Sequence, residues 1–233
     1  MGVVFPADFK ALVVGSTGAI GNAFVRCLQQ DQTCSEVVGV SRSSGTGFDL
    51  EDEKSLERLG SNLADRGPFH LIIDATGALT IDGIGPEKSL AMLDAVALQR
   101  MFSVNTIGPA LLLRHLAPLL ARGDAIYAKL SARVGSIGDN RKGGWYGYRA
   151  SKAAMNMVLQ TAAIELQRRN PRLRVVALQP GTVRSRLSKP FEAGVEHLLE
   201  PDESVAGLMQ AMRALPMRRG ADFIDYQGQH IPW

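Results

Sequence analysis

A tyrosine and a lysine stand four residues apart at positions 148 and 152, in a stretch rich in glycine and aromatic residues. On a helix this spacing places both side chains on one face, so the Lys152 ammonium can lie beside the Tyr148 phenol. A nearby cation favours the phenolate and lowers the pKa of a phenol from its usual value of about 10. The pair therefore predicts a proton-transfer site that works near neutral pH. Tyr146 has Ala150 four residues later, so we assign it to the wall of the site or to the core.

A glycine-rich turn lies near the amino terminus. The apolar run 11–14 leads into it, and a helical pattern that carries Phe24 and Leu28 follows it. Strand, glycine turn and helix in this order favour dinucleotide binding, because glycine lets the backbone approach a pyrophosphate at the positive end of the helix. The residues expected to contact the cofactor in this turn are Gly15, Thr17, Gly18, Ala19, Ile20 and Gly21.

The second predicted strand, residues 36–42, ends about 20 residues after the glycine turn, where an NAD site places an acidic residue on the ribose. Here the strand ends in Ser41 and Arg42. A hydroxyl and a guanidinium suit a 2′-phosphate, whereas a carboxylate would repel it. The sequence therefore favours NADP (NADPH) over NAD. The alternative is that Arg42 is a solvated loop residue.

Residues 48–50 follow as a predicted short strand end, because too few residues separate them from Arg42 for a helical crossover of ordinary length. Asp49 and Leu50 are expected beside the adenine, where the Asp49 carboxylate can accept a hydrogen bond from the amino group. Capping of the helix that follows is an equal alternative for this aspartate.

Further apolar runs predict strands at residues 69–73, 124–131, 173–179 and 222–226, with helical spacing between them. The chain is therefore predicted to be one α/β domain over residues 1–233, a Rossmann-type doubly wound parallel sheet of about seven strands. A short substrate-loop segment is expected at about 182–201. The helical segment 87–115 contains Asn105 and Gly108, two poor helix formers, which indicates a kink or a functional side chain.

Charge and composition exclude several classes of protein. The 26 basic and 23 acidic residues are interspersed and leave a net charge of +3, so nothing indicates nucleic-acid binding. No apolar run reaches the roughly 18 residues that span a membrane, and the amino terminus does not resemble a secretory signal. Cys27 and Cys34 show no disulfide or metal pattern, and the four histidines form no metal motif. These features predict a cytoplasmic protein.

Taken together, these residues resemble the short-chain dehydrogenase/reductase family over nearly the whole chain. The segments that carry the resemblance, in the order and at the spacing of that family, are the glycine turn, Asp74-Ala75-Thr76-Gly77, Asn105, Ser131, Tyr148 with Lys152, and Pro180-Gly181. The run 130–137 and the ending 225–233 are similar to its bacterial C-factor-like branch, which is similar to small carbonyl reductases.

The resemblance implies a catalytic role for four of these positions and a cofactor contact for others. Tyr148 would protonate a carbonyl oxygen as hydride arrives from the nicotinamide, and Lys152 would lower the Tyr148 pKa and hold the nicotinamide ribose. Asn105 would keep a water on a proton path to Lys152, and a serine at the end of strand 124–131 would polarise the carbonyl. The cofactor contacts that it implies are Ala75, Thr76, Gly77, Tyr148, Lys152, Pro180, Gly181 and Val183.

The serine position departs from the family pattern. Counting back from Gly135, the serine should fall on Ala132, and Ser131 stands one residue earlier. Successive strand residues point to opposite faces, so this shift can turn Ser131 away from the site. We favour Ser131 on a twisted strand end, then Ser136 from the following loop, and then a vacant serine position.

The favoured function is an NADP-dependent oxidoreductase that transfers a hydride between the nicotinamide and a small-molecule carbonyl or secondary alcohol. The alternative is a cofactor-binding regulatory or signalling protein of the C-factor type, with little or no turnover. Sugar-nucleotide epimerase chemistry is disfavoured, because little chain is available for a substrate domain. Trp145 and residues 185–199 are expected to form part of the wall of the substrate site. Because this wall mixes basic and apolar side chains, it allows either an apolar or an acidic ligand. Apolar surface on the helices near Asn105 and Tyr148 predicts a homodimer or homotetramer.

Overall fold

The structure is a computed structural model that describes residues 2–42, 47–191 and 197–233, with the Phe191 side chain left out. Its strands are β1 Phe9–Val14, β2 Cys34–Val40, β3 Leu71–Asp74, β4 Ala125–Leu130, β5 Leu173–Gln179, β6 Thr182–Val183, β7 Leu198–Leu199 and β8 Asp222–Asp225. Six of them form one parallel sheet in the order β2-β1-β3-β4-β5-β8, and β6 pairs with β7 in a separate parallel ribbon.

Helices connect these strands. They are α1 Ala19–Gln30, α2 Glu53–Leu63, α3 Ala95–Phe102, α4 Gly108–Leu116, α5 Tyr146–Leu166 and α6 Pro201–Ala214. The π-helical turn Ser103–Ile107 joins α3 to α4, so the irregularity expected around Asn105 is present. A Cβ on Gly108 would lie 2.4 Å from the main-chain oxygen of Leu50, which explains the glycine at this point. Among the described residues, no helix is both long enough and apolar enough to cross a membrane.

Apart from the edge strand β2, the sheet is buried on both faces, which is why its strands are mostly apolar rather than alternating. On one face Leu12 and Val14 of β1 pack with α2, α4 and α5. On the other face Ala11 and Val13 pack with α1 and α6. The period of two along the strands thus assigns each side chain to one of the two helix layers.

The strand order reverses at β1, which lies between β2 and β3. In doubly wound sheets, ligands bind in the crevice outside the carboxyl ends of the strands at such a switch point. The turn after β1 and the ends of β3 and β4 therefore lie where a site is expected.

The predicted fold class is confirmed, with six strands in the main sheet rather than about seven. Residues 48–50 do not form a strand, because a parallel neighbour for β2 would need a crossover longer than the few residues available. Phe48 is buried in the core instead. Asp49 accepts from the main-chain nitrogen of Glu51, and the cap of α2 is Asp52, which accepts from the main-chain nitrogen of Lys54 at 3.0 Å.

Candidate active site

Helix α5 carries Tyr148 and Lys152 at its amino-terminal end. A distant acidic residue holds its first turn: the buried Glu87 accepts from the main-chain nitrogen of Gly147 at 3.0 Å. A carboxylate is favourable there because helix amino termini carry partial positive charge. Trp145, in the left-handed conformation at φ 55°, packs edge-on against the Tyr148 ring at 6.1 Å between centroids. Sequence reasoning missed Glu87, since nothing local links it to a helix that begins far along the chain.

Tyr148 and Lys152 are both buried, and the Lys152 ammonium lies 5.6 Å from the centroid of the Tyr148 ring. The ammonium also donates to the main-chain oxygen of Leu130 at 3.2 Å. Burial lowers the pKa of Lys152 to about 7; the cation of Lys129 adds to the lowering and Asp74 opposes it. Burial raises the pKa of Tyr148, opposite to the lowering expected from the sequence. The resting site therefore keeps the phenol protonated.

Asn105 lies on the π-helical turn and is fully buried. Its side chain accepts from the main-chain nitrogen of Ala78 at 2.9 Å and donates to the oxygen of the same residue at 2.8 Å. A Cβ on Gly77 would lie 3.0 Å from Asn105 Oδ1 and 3.2 Å from Lys152 Nζ. Asn105 and Lys152 therefore face the same small space beside Gly77.

The structure gives each candidate serine a hydrogen-bond partner. Ser131 is buried and donates to Asn156 Oδ1 on α5 at 2.7 Å. Ala132 packs against the apolar cluster that contains Tyr148. Ser136 is buried and donates to a main-chain oxygen of the carboxyl-terminal tail. Both serines thus have hydrogen-bond partners within the protein, and the choice among Ser131, Ser136 and a vacant serine position stays a prediction.

Two charged residues beneath the site were not assigned a role from the sequence. Lys129 of β4 and Asp74 of β3 are fully buried and form an ion pair, with 3.1 Å between Nζ and Oδ1. The available signal was a lysine inside an apolar strand, with an aspartate at the end of the preceding strand. It was overlooked because sequence alone does not give the pairing of the two strands.

The glycine turn after β1 is tight and brings its backbone close to the start of α1. Gly15 has φ 82°, and a Cβ on Gly21 would lie 2.2 Å from the Gly15 oxygen. Helix α1 begins at Ala19 without a side-chain cap and with no acidic residue in its first turn. Its first N–H groups thus lack side-chain partners and can bind phosphate oxygens. The six residues expected to contact the cofactor in this turn differ in exposure. Thr17 and Gly18 are exposed, Gly15, Ala19 and Ile20 are half-buried, and Gly21 is buried.

The end of β2 adjoins this turn, because Val14 and Val40 are paired in register and Gly15 donates to the Val40 oxygen at 2.8 Å. Ser41 is buried and Arg42 is exposed there, which suits a guanidinium that binds a 2′-phosphate. Asp49 is exposed and Leu50 half-buried, and their contact with the adenine stays a prediction. The turn Ala75, Thr76 and Gly77 follows β3, and Ala75 donates to the Val14 oxygen at 2.8 Å.

The residues after β5 complete the edge of the crevice. Pro180 is buried and its oxygen accepts from Ser204 at 2.6 Å, Gly181 has φ 79°, and Val183 is buried in β6. Of the predicted substrate-loop segment, residues 192–196 lie outside the described residues. A cavity of about 300 Å³ is lined by Arg184, Ser185, Arg186 and Lys189. A larger cavity of about 450 Å³ lies between α1 and α6, away from these residues.

The chain is similar to known proteins over most of its length. The family model described as short chain dehydrogenase matches residues 32–196. A 1-hydroxy-2-glutathionyl-2-methyl-3-butene dehydrogenase from a Rhodococcus species is 31% identical over 80% of this chain and 79% of its own. The C-signal protein of Myxococcus xanthus is 30% identical over 72% of this chain and 94% of its own. A short-chain dehydrogenase/reductase from Burkholderia multivorans, solved with bound NADP, superposes with a TM-score of 0.82 at 25% identity, covering 97% of this chain and 100% of that one.

Proposed function

Because the chain belongs to the short-chain dehydrogenase family, we propose that it is an NADP-dependent oxidoreductase that transfers a hydride between the nicotinamide and a carbonyl or secondary alcohol. The observation that carries this proposal is the meeting of Tyr148, Lys152 and Asn105 at the carboxyl edge of the sheet, next to the glycine turn. The NADP bound to the Burkholderia structure supports the choice of cofactor.

The chain offers a binding surface for each part of this cofactor, which supplies the hydride when bound. The turn Gly15–Gly21 and the start of α1 would hold the pyrophosphate. Ser41 and Arg42 would hold the 2′-phosphate. Lys152 would bind the nicotinamide ribose. The residues proposed to line the rest of the site are Asp49, Leu50, Ala75, Thr76, Gly77, Pro180, Gly181 and Val183.

In the direction of reduction, Tyr148 would donate its phenolic proton to the carbonyl oxygen of the substrate. Burial raises its pKa, which keeps the phenol protonated until the oxygen becomes more basic. The Lys152 cation would stabilise the phenolate that remains and help to return its proton. Asn105, fixed by its two hydrogen bonds to Ala78, would hold a water on the path to Lys152.

If Ala132 occupies the serine position, the carbonyl would have no serine donor and Tyr148 would be its principal hydrogen-bond donor. This arrangement predicts slower turnover than a site with both groups, because one oxyanion-type donor is commonly worth about 10² in rate. The signalling alternative is less favoured, since the chain keeps the tyrosine, lysine and asparagine that proton transfer requires.

The substrate is proposed to carry a negative charge. Arg184, Ser185, Arg186 and Lys189 line the cavity of about 300 Å³ after β6, and its positive charge favours an anionic group. Glu200 accepts from Arg184 at 2.7 Å and offsets part of that charge. The Rhodococcus relative is named for a substrate with a glutathionyl group. Such a group carries carboxylates, which supports the proposal of an anionic substrate.

A homodimer or homotetramer is proposed through the helices on the α5 side of the sheet. Val96, Ile107 and Met157 are more than half exposed, at 67%, 53% and 66%, and lie on α3, the π-helical turn and α5. The three elements that carry these side chains contact one another, and exposed apolar side chains on neighbouring elements commonly mark a surface between subunits. A monomeric mass in solution would contradict this assignment.

The experiment that tests the function is NADPH oxidation by the purified protein over a panel of neutral and acidic carbonyl compounds. Substrate-dependent loss of NADPH absorbance is the expected result. Tight NADPH binding with no turnover on any member of the panel would instead favour the signalling alternative.

A further inference from the structure

Lys129 is completely buried in β4, although lysines are almost never fully buried without a partner. Its partner is Asp74, directly opposite it in the β3–β4 register and equally buried. The hydroxyl of Tyr127 also lies 3.5 Å from Asp74 Oδ2. Removing two charges from water is costly, and apolar residues in such places are often at least as stable. Stability is therefore a weak explanation for the Lys129–Asp74 pair.

The pair shapes the turn that leads to Gly77. Asp74 Oδ1 accepts from the main-chain nitrogen of Thr76 at 2.9 Å and from its hydroxyl at 2.6 Å. Lys129 Nζ donates to the main-chain oxygen of Thr76 at 2.5 Å and contacts its hydroxyl at 3.1 Å. The turn ends at Gly77, whose Cβ position would be 3.2 Å from Lys152 Nζ. The pair thus fixes the backbone against which the Lys152 ammonium lies.

The surroundings of Lys152 also include both charges of the pair. Its own helix contributes the phenol of Tyr148, and β4 contributes the main-chain oxygen of Leu130 and the Lys129 cation. The end of β3 contributes the Asp74 carboxylate. Lys129 lowers the pKa of Lys152 and Asp74 raises it, in addition to the larger effect of burial.

We propose that the Lys129–Asp74 pair positions Lys152 and sets its proton occupancy, with Lys129 favouring loss of the proton and Asp74 favouring its retention. Both residues act through Lys152 and the turn at Gly77, so they are positioning residues. The inference rests on the proposed part of Lys152 in proton transfer.

The test is a titration of Lys152 in the full chain by NMR of ¹⁵N-labelled lysine, with the signal assigned from Lys152→Arg. Lys129→Met should raise the Lys152 pKa, and Asp74→Asn should lower it, each by about one pH unit. In the pH profile of kcat/KM for carbonyl reduction, the falling limb should move to higher pH in Lys129→Met and to lower pH in Asp74→Asn. A purely structural pair would lower stability without moving the limb in opposite directions.

The matched control is Asp124→Asn, which breaks the ion pair of 2.8 Å between Asp124 and the buried Arg174 at the other end of the sheet. It should leave the Lys152 titration unchanged. If Lys129→Met does not fold, Lys129→Gln keeps hydrogen bonding to Thr76 and should raise the same pKa. An unchanged titration in the Lys129 and Asp74 variants, or displacement in one common direction, would overturn the proposal. Displaced titration with an unmoved rate profile would support the link to Lys152 and contradict the proposed part of Lys152 in the reaction.

Discussion

The hydroxyl of Ser131 donates a hydrogen bond of 2.7 Å to Asn156 Oδ1, which ties the end of β4 to α5 about two turns beyond Tyr148. This contact gives the serine a structural partner. Ala132, one residue later, packs in the cluster that contains Tyr148. We therefore expect a hydroxyl introduced at position 132 to lie on the Tyr148 side of this segment.

Substitutions at positions 131, 132 and 136 test which of them can supply the hydroxyl beside Tyr148. Ser131→Ala should change turnover little but lower the free energy of unfolding by about 1–3 kcal/mol, because Asn156 loses its partner in a buried place. Ser136→Ala should also leave turnover nearly unchanged. Ala132→Ser should raise kcat/KM by about tenfold, because it adds a donor on the Tyr148 side. Steady-state kinetics and thermal unfolding measure these effects, and a loss of about 10² in turnover for Ser131→Ala would restore Ser131 to the catalytic role.

Tyr148→Phe removes the proposed proton donor and keeps the ring. Turnover should fall by about 10²–10⁴, the usual contribution of general acid catalysis. The dissociation constant for NADPH should stay nearly the same, because the loss concerns chemistry rather than binding. Tyr146→Phe is the matched control, because it removes a phenolic hydroxyl from the same turn of α5, and it should lower turnover far less than Tyr148→Phe. Wild-type turnover in Tyr148→Phe would show that another group supplies the proton.

The pH dependence follows from Lys152, whose burial lowers its pKa to about 7. The side chain is charged below this pH and neutral above it, so kcat/KM for reduction should fall as pH rises through about 7. Lys152→Arg stays charged over this range, so its profile should lose the falling limb even if turnover is lower. A limb that persists unchanged in Lys152→Arg would belong to a different group.

Arg42 is expected to select the phosphorylated cofactor. Arg42→Ala should weaken NADPH binding by about tenfold and leave NADH binding nearly unchanged, because the guanidinium binds only the extra phosphate. Fluorescence titration with both cofactors measures the ratio. Arg58→Ala, at another exposed arginine, serves as the control. Equal losses for NADPH and NADH, or equal affinity for the two in the wild type, would place Arg42 outside the phosphate site.

Arg186 tests the charge of the substrate. The test uses two ketones with the same reacting group, one carrying a carboxylate and the other the corresponding amide. The comparison isolates the effect of the substrate's negative charge. Arg186→Ala should raise KM for the carboxylate by about tenfold and leave KM for the amide nearly unchanged. A preference of the wild type for the amide would contradict an anionic substrate.

Short-range patterns in the sequence predicted much of the fold and the centre of the site. The glycine turn depends on residues within one strand, turn and helix, and it has the expected form at Gly15 and Gly21. The proximity of Tyr148 and Lys152 follows from one turn of α5. The irregular helix around Asn105 was indicated by its poor helix formers and appears as a π-helical turn. Each of these features is encoded within a few residues.

The sequence by itself determined the alternation of strands and helices and the spacing of the proton-transfer pair. Only the tertiary structure decided that Ser131 turns to Asn156, that burial raises the pKa of Tyr148, and that Lys129 meets Asp74. Spacing along one element fixes which side chains share a face. Side-chain partners from other elements, and the water excluded around a phenol or an ammonium, depend on how distant parts of the chain pack together.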